Sequence, residues 1–128
     1  MTEKKKILVI DDDPEIQDYC RVVLESGGYA VHTASSGTEG RELAGRHGPH
    51  LVILDIMMEE ADAGFQTAAW FAANHPDTPI LMLSSIAEAS EQVFDTSTLK
   101  VADLVDKPVA PKVLLEKVAR LLARAKKD

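Results

Sequence analysis

Cysteine is nearly absent from the 128 residues: Cys20 stands alone, so no internal disulfide can form and a reducing, cytoplasmic setting is expected. Long apolar runs are missing too. Nothing approaches the ~20 residues that cross a bilayer, so no membrane span and no membrane partner are expected. The stretch Met1 to Lys6 leads into only four apolar residues before Asp11, and no signal peptide is expected. Basic charge is in deficit, with 14 Lys and Arg against 21 Asp and Glu and a formal charge of −7. That balance argues against direct binding of nucleic acid or anionic lipid through a basic face. Internal repeats and low-complexity linkers are lacking as well. What remains is 45% hydrophobic and 27% charged residues, the mix of a globular chain. The length fits one domain over 1–128, able to bury roughly two-thirds of its unfolded surface without a disulfide or metal staple.

Apolar residues gather in short runs: Ile7-Leu8-Val9-Ile10, Leu51-Val52-Ile53-Leu54, Ile80-Leu81-Met82-Leu83 and the weaker Leu104-Val105. Unbroken runs suit strands covered on both faces, as in parallel sheets. Tyr29 to Ala34 is richer in polar residues and reads as an edge strand. Between these runs lie helix signals. Asp13-Pro14 is an N-cap followed by proline at the first helical position, and Gly27-Gly28 closes that helix. Its apolar stripe is Ile16, Tyr19, Cys20, Val23 and Leu24, which makes Cys20 a core residue. Ser36 to Glu39 fits a capping box. A third helix is predicted over Phe65 to Ala73, with one of Trp70 and Phe71 packed inward, and a fourth within Ala87 to Leu99. Pro111 opens the last, whose inner face is Leu114, Val118, Leu121 and Leu122. Strand and helix alternate, which predicts an α/β fold: a doubly wound, five-stranded, mostly parallel sheet.

In such sheets ligands bind outside the carboxyl ends of the strands, where strand order reverses. Polar residues occupy those ends here: Asp11, Asp12 and Asp13 after the first strand, Asp55 after the third, Ser84 after the fourth and Lys107 after the fifth. If the first and third strands are neighbours, Asp11 or Asp12 converges with Asp55. Crowded carboxylates repel unless a cation sits among them. Oxygen donors without His or Cys favour a hard divalent ion, Mg2+ before Mn2+ or Ca2+. A lysine and a hydroxyl aimed at the same place stabilise an anion. Taken singly, each residue has a plainer role: Asp13 as a cap, Ser84 as a turn residue, Lys107 as a surface charge before a proline. His32, His47, His50 and His75 are scattered, and His47 and His50 flank Gly48-Pro49 in a loop with little promise as a metal pair.

The ordered set Ile7 to Pro14, Leu51 to Met58, Pro79 to Ser84 and Asp106-Lys107-Pro108 resembles the receiver domain of two-component response regulators over essentially the whole chain. The resemblance implies a flavodoxin-like strand order of 2-1-3-4-5. It implies that Asp55 accepts a phosphoryl group from a histidine kinase or phosphotransfer protein. By the same resemblance Asp11, Asp12, Asp55 and the backbone carbonyl of Met57 hold Mg2+, and Ser84 and Lys107 contact the phosphoryl oxygens. It also implies a cis Lys107-Pro108 bond. The implied function is a phosphoacceptor module that switches a protein-binding surface toward a downstream protein, catalysing only its own phosphorylation and slow dephosphorylation. Met57 and Ile86, both apolar, stand where faster-hydrolysing receivers place polar side chains, so a long-lived acyl phosphate is expected.

Some positions depart from the family pattern. Glu59 and Ala63 replace a proline and a glycine after the acceptor, with Gly64 one residue late, which predicts a reshaped acidic loop. Leu104 occupies the place of the aromatic switch residue, and Val101-Ala102 that of a small Gly-Ala pair. Two other functions fit parts of the sequence. One is a haloacid-dehalogenase-like phosphohydrolase using Asp11 and Asp13, poorly matched by Pro14 and the short chain. The other is a degenerate receiver that binds a partner without phosphorylation.

Overall fold

Each apolar quartet becomes a strand buried on both sides. The structure, a computed structural model, describes residues 4–55, 63–85, 103–107 and 110–125. In chain order its elements are β1 (Lys6–Ile10), α1 (Pro14–Ser26), β2 (Ala30–Ala34), α2 (Gly37–His47), β3 (Leu51–Asp55), α3 (Ala63–Asn74), β4 (Ile80–Ser85), β5 (Asp103–Lys107) and α4 (Pro111–Ala125). The predicted helix within 87–99 lies outside the described residues, as do Met57, Glu59, Ile86, Val101-Ala102 and Pro108.

The five strands form one sheet in the order β2-β1-β3-β4-β5, every neighbouring pair parallel. The expected fold and strand order hold, with β2 at an edge. Alternation along each strand divides the core. Ile7, Val9, Leu51, Ile53, Leu81 and Leu83 face α1 and α4, meeting Cys20, Val23 and Leu24 from one and Leu114, Val118, Leu121 and Leu122 from the other. Leu8, Ile10, Val52, Leu54, Ile80 and Met82 face α2 and α3, where Ala44, Ala68 and Phe71 complete the packing. Side chains on both faces of the sheet, each face covered by helices, leave β3 buried along its whole length and β1 buried from Ile7 to Ile10.

Helix ends follow the sequence signals. Asp13 Oδ1 accepts the Glu15 N–H at 2.9 Å with Pro14 first in α1, and Gly27 caps the other end, its N–H donating to Leu24 O at 3.0 Å. Ser36 Oγ accepts the Glu39 N–H at 3.1 Å, but Glu39 reaches back one residue further than a capping box requires, to the Ser35 N–H at 2.7 Å. Gly40 lets α2 lie on β1, since a Cβ there would run into the buried Ile10 side chain. The third helix starts two residues before the predicted Phe65 and ends one after Ala73. Of the adjacent pair Trp70 and Phe71, Phe71 is fully buried and Trp70 half-buried, its ring edge-on to Phe71 with centroids 5.0 Å apart. Among the described residues no helix is long and apolar enough to cross a membrane.

Truncating Phe71 to Ala should cost about 3–5 kcal/mol of folding stability, the range for emptying a sealed core site. Trp70→Ala, at a half-exposed position, should cost clearly less. Urea unfolding of the two variants checks this, and equal losses would contradict the division of the core.

Candidate cation site at the strand ends

Strand order reverses between β1 and β3, because β1 connects outward to β2 on one side and β3 lies on its other side. Ile10 is paired with Leu54, so the next residues along the two strands, Asp11 and Asp55, emerge side by side. Asp55 is the last residue of β3 and is paired with Leu83. On the far side, Ser84 is in register with Asp106 and Ser85 with Lys107, placing both predicted anion-binding residues in the final turns of β4 and β5. Asp55, Ser84 and Lys107 thus belong to the strands rather than following them, as the sequence reading had it. Parallel pairing continues past the last apolar residue because the neighbouring strand still offers backbone partners there.

One carboxylate oxygen from each of Asp11, Asp12 and Asp55 lies within 4.8 Å of the others. Asp11 is fully buried and Asp55 is 2% exposed, whereas Asp12 opens to solvent. Asp13 stays outside the group and works as the cap of α1. The turn is held tightly: Asp11 N–H donates to Ala34 O at 3.0 Å, and Asp11 Oδ1 accepts the Asp13 N–H at 2.9 Å. Sequence reading assigns Gln17 no role, yet its Nε2 lies 2.6 Å from Asp11 O and 3.1 Å from Ser35 Oγ. Its position one turn into the helix that the acidic triplet caps is the only signal in the sequence.

The donor set fits a hard divalent cation. It is all oxygen, and His or Cys is absent from the cluster. Ligands of an octahedral Mg2+ ion at about 2.0–2.1 Å stand about 3–4 Å apart, so the carboxylates need close only slightly around one ion. Two carboxylates with little access to water are costly to keep charged side by side, and a cation removes that cost.

Comparison with known proteins adds a second line. A family model described as the response regulator receiver domain matches residues 7–119. The response regulator MprA of Mycobacterium leprae is 33% identical over 123 residues, covering 96% of this chain and 53% of that protein. The DNA-binding dual master transcriptional regulator RpaA of Synechocystis is 34% identical, covering 93% of this chain and 49% of its own. The chain spans about half the length of these relatives. Among solved structures, the CheY-like receiver domain protein of Methanospirillum hungatei superposes with a TM-score of 0.88 at 28% identity over 98% of both chains. Chemotaxis protein CheY4 of Vibrio cholerae gives a TM-score of 0.83 at 26% identity, covering 93% of this chain and 99% of that one.

The histidines lie elsewhere. His47 ends α2 rather than lying in a loop, and its ring stacks on that of His32 from β2, with centroids 4.0 Å apart and planes 11° from parallel. His50 is not its partner: His50 Nδ1 accepts the Lys6 N–H at 3.0 Å. His75 lies against Trp70 and Phe71. Burial, then the neighbouring His47, Lys6 and Arg21, hold the His32 pKa below its usual 6.5. His32 is therefore kept neutral in the fold but takes up a proton when unfolded below that value. Its contribution to stability is present above pH 6.5 and lost as the pH falls toward the lowered folded value. His32→Gln should flatten the fall in urea-unfolding stability as the pH drops below 6.5, and an unchanged slope would contradict the assignment.

Proposed function

Because the chain belongs to the response regulator receiver domain family, whose general function is phosphorylation-dependent switching, we propose that Asp55 is its phosphoacceptor and takes a phosphoryl group from a histidine kinase or phosphotransfer protein. Members of this family act as phosphoacceptors rather than as enzymes on a separate substrate, interact with histidine kinases and generally bind Mg2+ at an acidic pocket. The observation that carries the reading is the convergence of Asp11, Asp12 and Asp55 at the point where strand order reverses.

In this reading Asp11, Asp12 and Asp55, with the backbone carbonyl of Met57, are the protein ligands of Mg2+. The ion, when bound, neutralises charge on the anionic phosphoryl donor and orients it. An Asp55 carboxylate oxygen forms the new O–P bond while the donor's N–P bond breaks and its imidazole leaves. Asp55 is 2% exposed and ends β3, so the strand fixes the backbone from which its carboxylate attacks. Ser84 donates its hydroxyl, and Lys107 its ammonium, to phosphoryl oxygens at the ends of β4 and β5. New contacts to these two residues differ between the free and phosphorylated states, and that difference biases a protein-binding surface toward a downstream partner. The chain 1–128 acts here as one cytoplasmic receiver unit that catalyses its own phosphorylation. Asp13 is engaged as the cap of α1, which speaks against a phosphohydrolase built on Asp11 and Asp13.

Incubation with acetyl phosphate and Mg2+ should add one phosphoryl group to the intact mass. Asp55→Asn should abolish the gain, and Asp11→Asn or excess chelator should reduce it by about tenfold or more, since even the partners behind metal ligands are worth about 10–100-fold. Full labelling of Asp55→Asn would overturn the assignment.

A further inference from the structure

We propose that Gln17 is a positioning residue for the cation site, fixing the peptide that links Asp11 to Asp12 and tying it to the loop after β2. The inference rests on the reading of Asp11, Asp12 and Asp55 as cation ligands.

Gln17 lies on α1, half-buried. Its Nε2 faces three oxygens: Asp11 O at 2.6 Å, Ser35 Oγ at 3.1 Å and Ala34 O at 3.4 Å. Two of these are carbonyls, which only accept, so the NH2 end of the amide must point toward them. One N–H goes to Asp11 O, the shortest contact, and the other is shared between Ser35 Oγ and Ala34 O. Ala34 O also accepts the Asp11 N–H at 3.0 Å. The Asp11 backbone is thereby held on both sides, its N–H by β2 and its carbonyl by Gln17.

That carbonyl belongs to the peptide whose nitrogen is Asp12. Its plane sets the angle between the two carboxylates, one buried and one open to solvent. The Asp11 carboxylate is steered separately, by the Asp13 N–H. The second tether reaches Ser35, whose own N–H donates to Glu39 of α2. Gln17 thus joins the starts of α1 and α2 across the ends of β1 and β2. Partners behind metal ligands typically change affinity by about 10–100-fold when removed, because they set ligand orientation.

Gln17→Met keeps the length and packing of the side chain and removes both N–H donors. Titration calorimetry of the folded protein with MgCl2 alone should show the dissociation constant raised by about tenfold. The half-saturating Mg2+ concentration for acetyl phosphate labelling should rise by a similar factor, while the rate at saturating Mg2+ falls less. A merely structural role would lower the urea midpoint without moving Mg2+ affinity. Should the methionine variant fail to fold, Ser35→Ala, at an exposed position, carries the test. Its Mg2+ affinity should fall about two- to threefold, the worth of one modest hydrogen bond. Wild-type Mg2+ affinity in the folded Gln17→Met protein, or in Ser35→Ala if that is the variant tested, overturns the inference alone. Failure of the wild-type protein itself to bind Mg2+ overturns the site reading and this inference together.

Discussion

Three carboxylates held within 4.8 Å of one another are the constraint around which the strand ends are arranged. Like charges this close repel, and the repulsion grows as water is excluded from two of them. Left to local preference, the turn after β1 would swing Asp11 and Asp12 away from Asp55. It cannot, because β1 and β3 are locked in register by backbone bonds and by side chains packed on both faces of the sheet. The apolar core thus holds three carboxylates together at the carboxyl ends of β1 and β3, and a divalent cation is their natural complement.

The surrounding polar contacts serve the same end. Asp13 spends its side chain on the first turn of α1 and its N–H on Asp11, so the third acidic residue stabilises the turn without adding to the crowd. Gln17 contributes donors where a turn rich in carboxylates and carbonyls is short of them. Being neutral, its amide supplies hydrogen bonds without competing with a cation for the carboxylates.

Much of this was legible in the residues. Unbroken apolar quartets announced strands buried on both sides, and the caps at Asp13 and Ser36 and the glycines after Ser26 marked helix ends, because these signals act over a few residues. The parallel sheet followed from the unbroken apolar runs, but the strand order and the meeting of Asp11 with Asp55 depend on which strands are neighbours, a long-range matter that the family resemblance supplied and residue patterns alone left open. Other features depend on tertiary contacts with no local signature. The stacking of His47 on His32, in place of a pairing with His50, follows from β2 running beside the end of α2. Gln17 looks like any polar residue on an amphipathic helix until Ala34 and Ser35 are brought beside it. Asp55 and Ser84 read as residues beyond the strands because polarity marks the end of an apolar run, whereas backbone pairing continues one or two residues further.

A crystal structure grown with Mg2+ and beryllium trifluoride, a phosphoryl analogue, tests the central claim most directly. The account predicts one ion ligated by oxygens of Asp11, Asp12 and Asp55 at about 2.0–2.1 Å, the usual Mg2+–oxygen distance. It also predicts the analogue bonded to an Asp55 carboxylate oxygen. An ion bound away from the three carboxylates, or the analogue attached to Asp11, would contradict it.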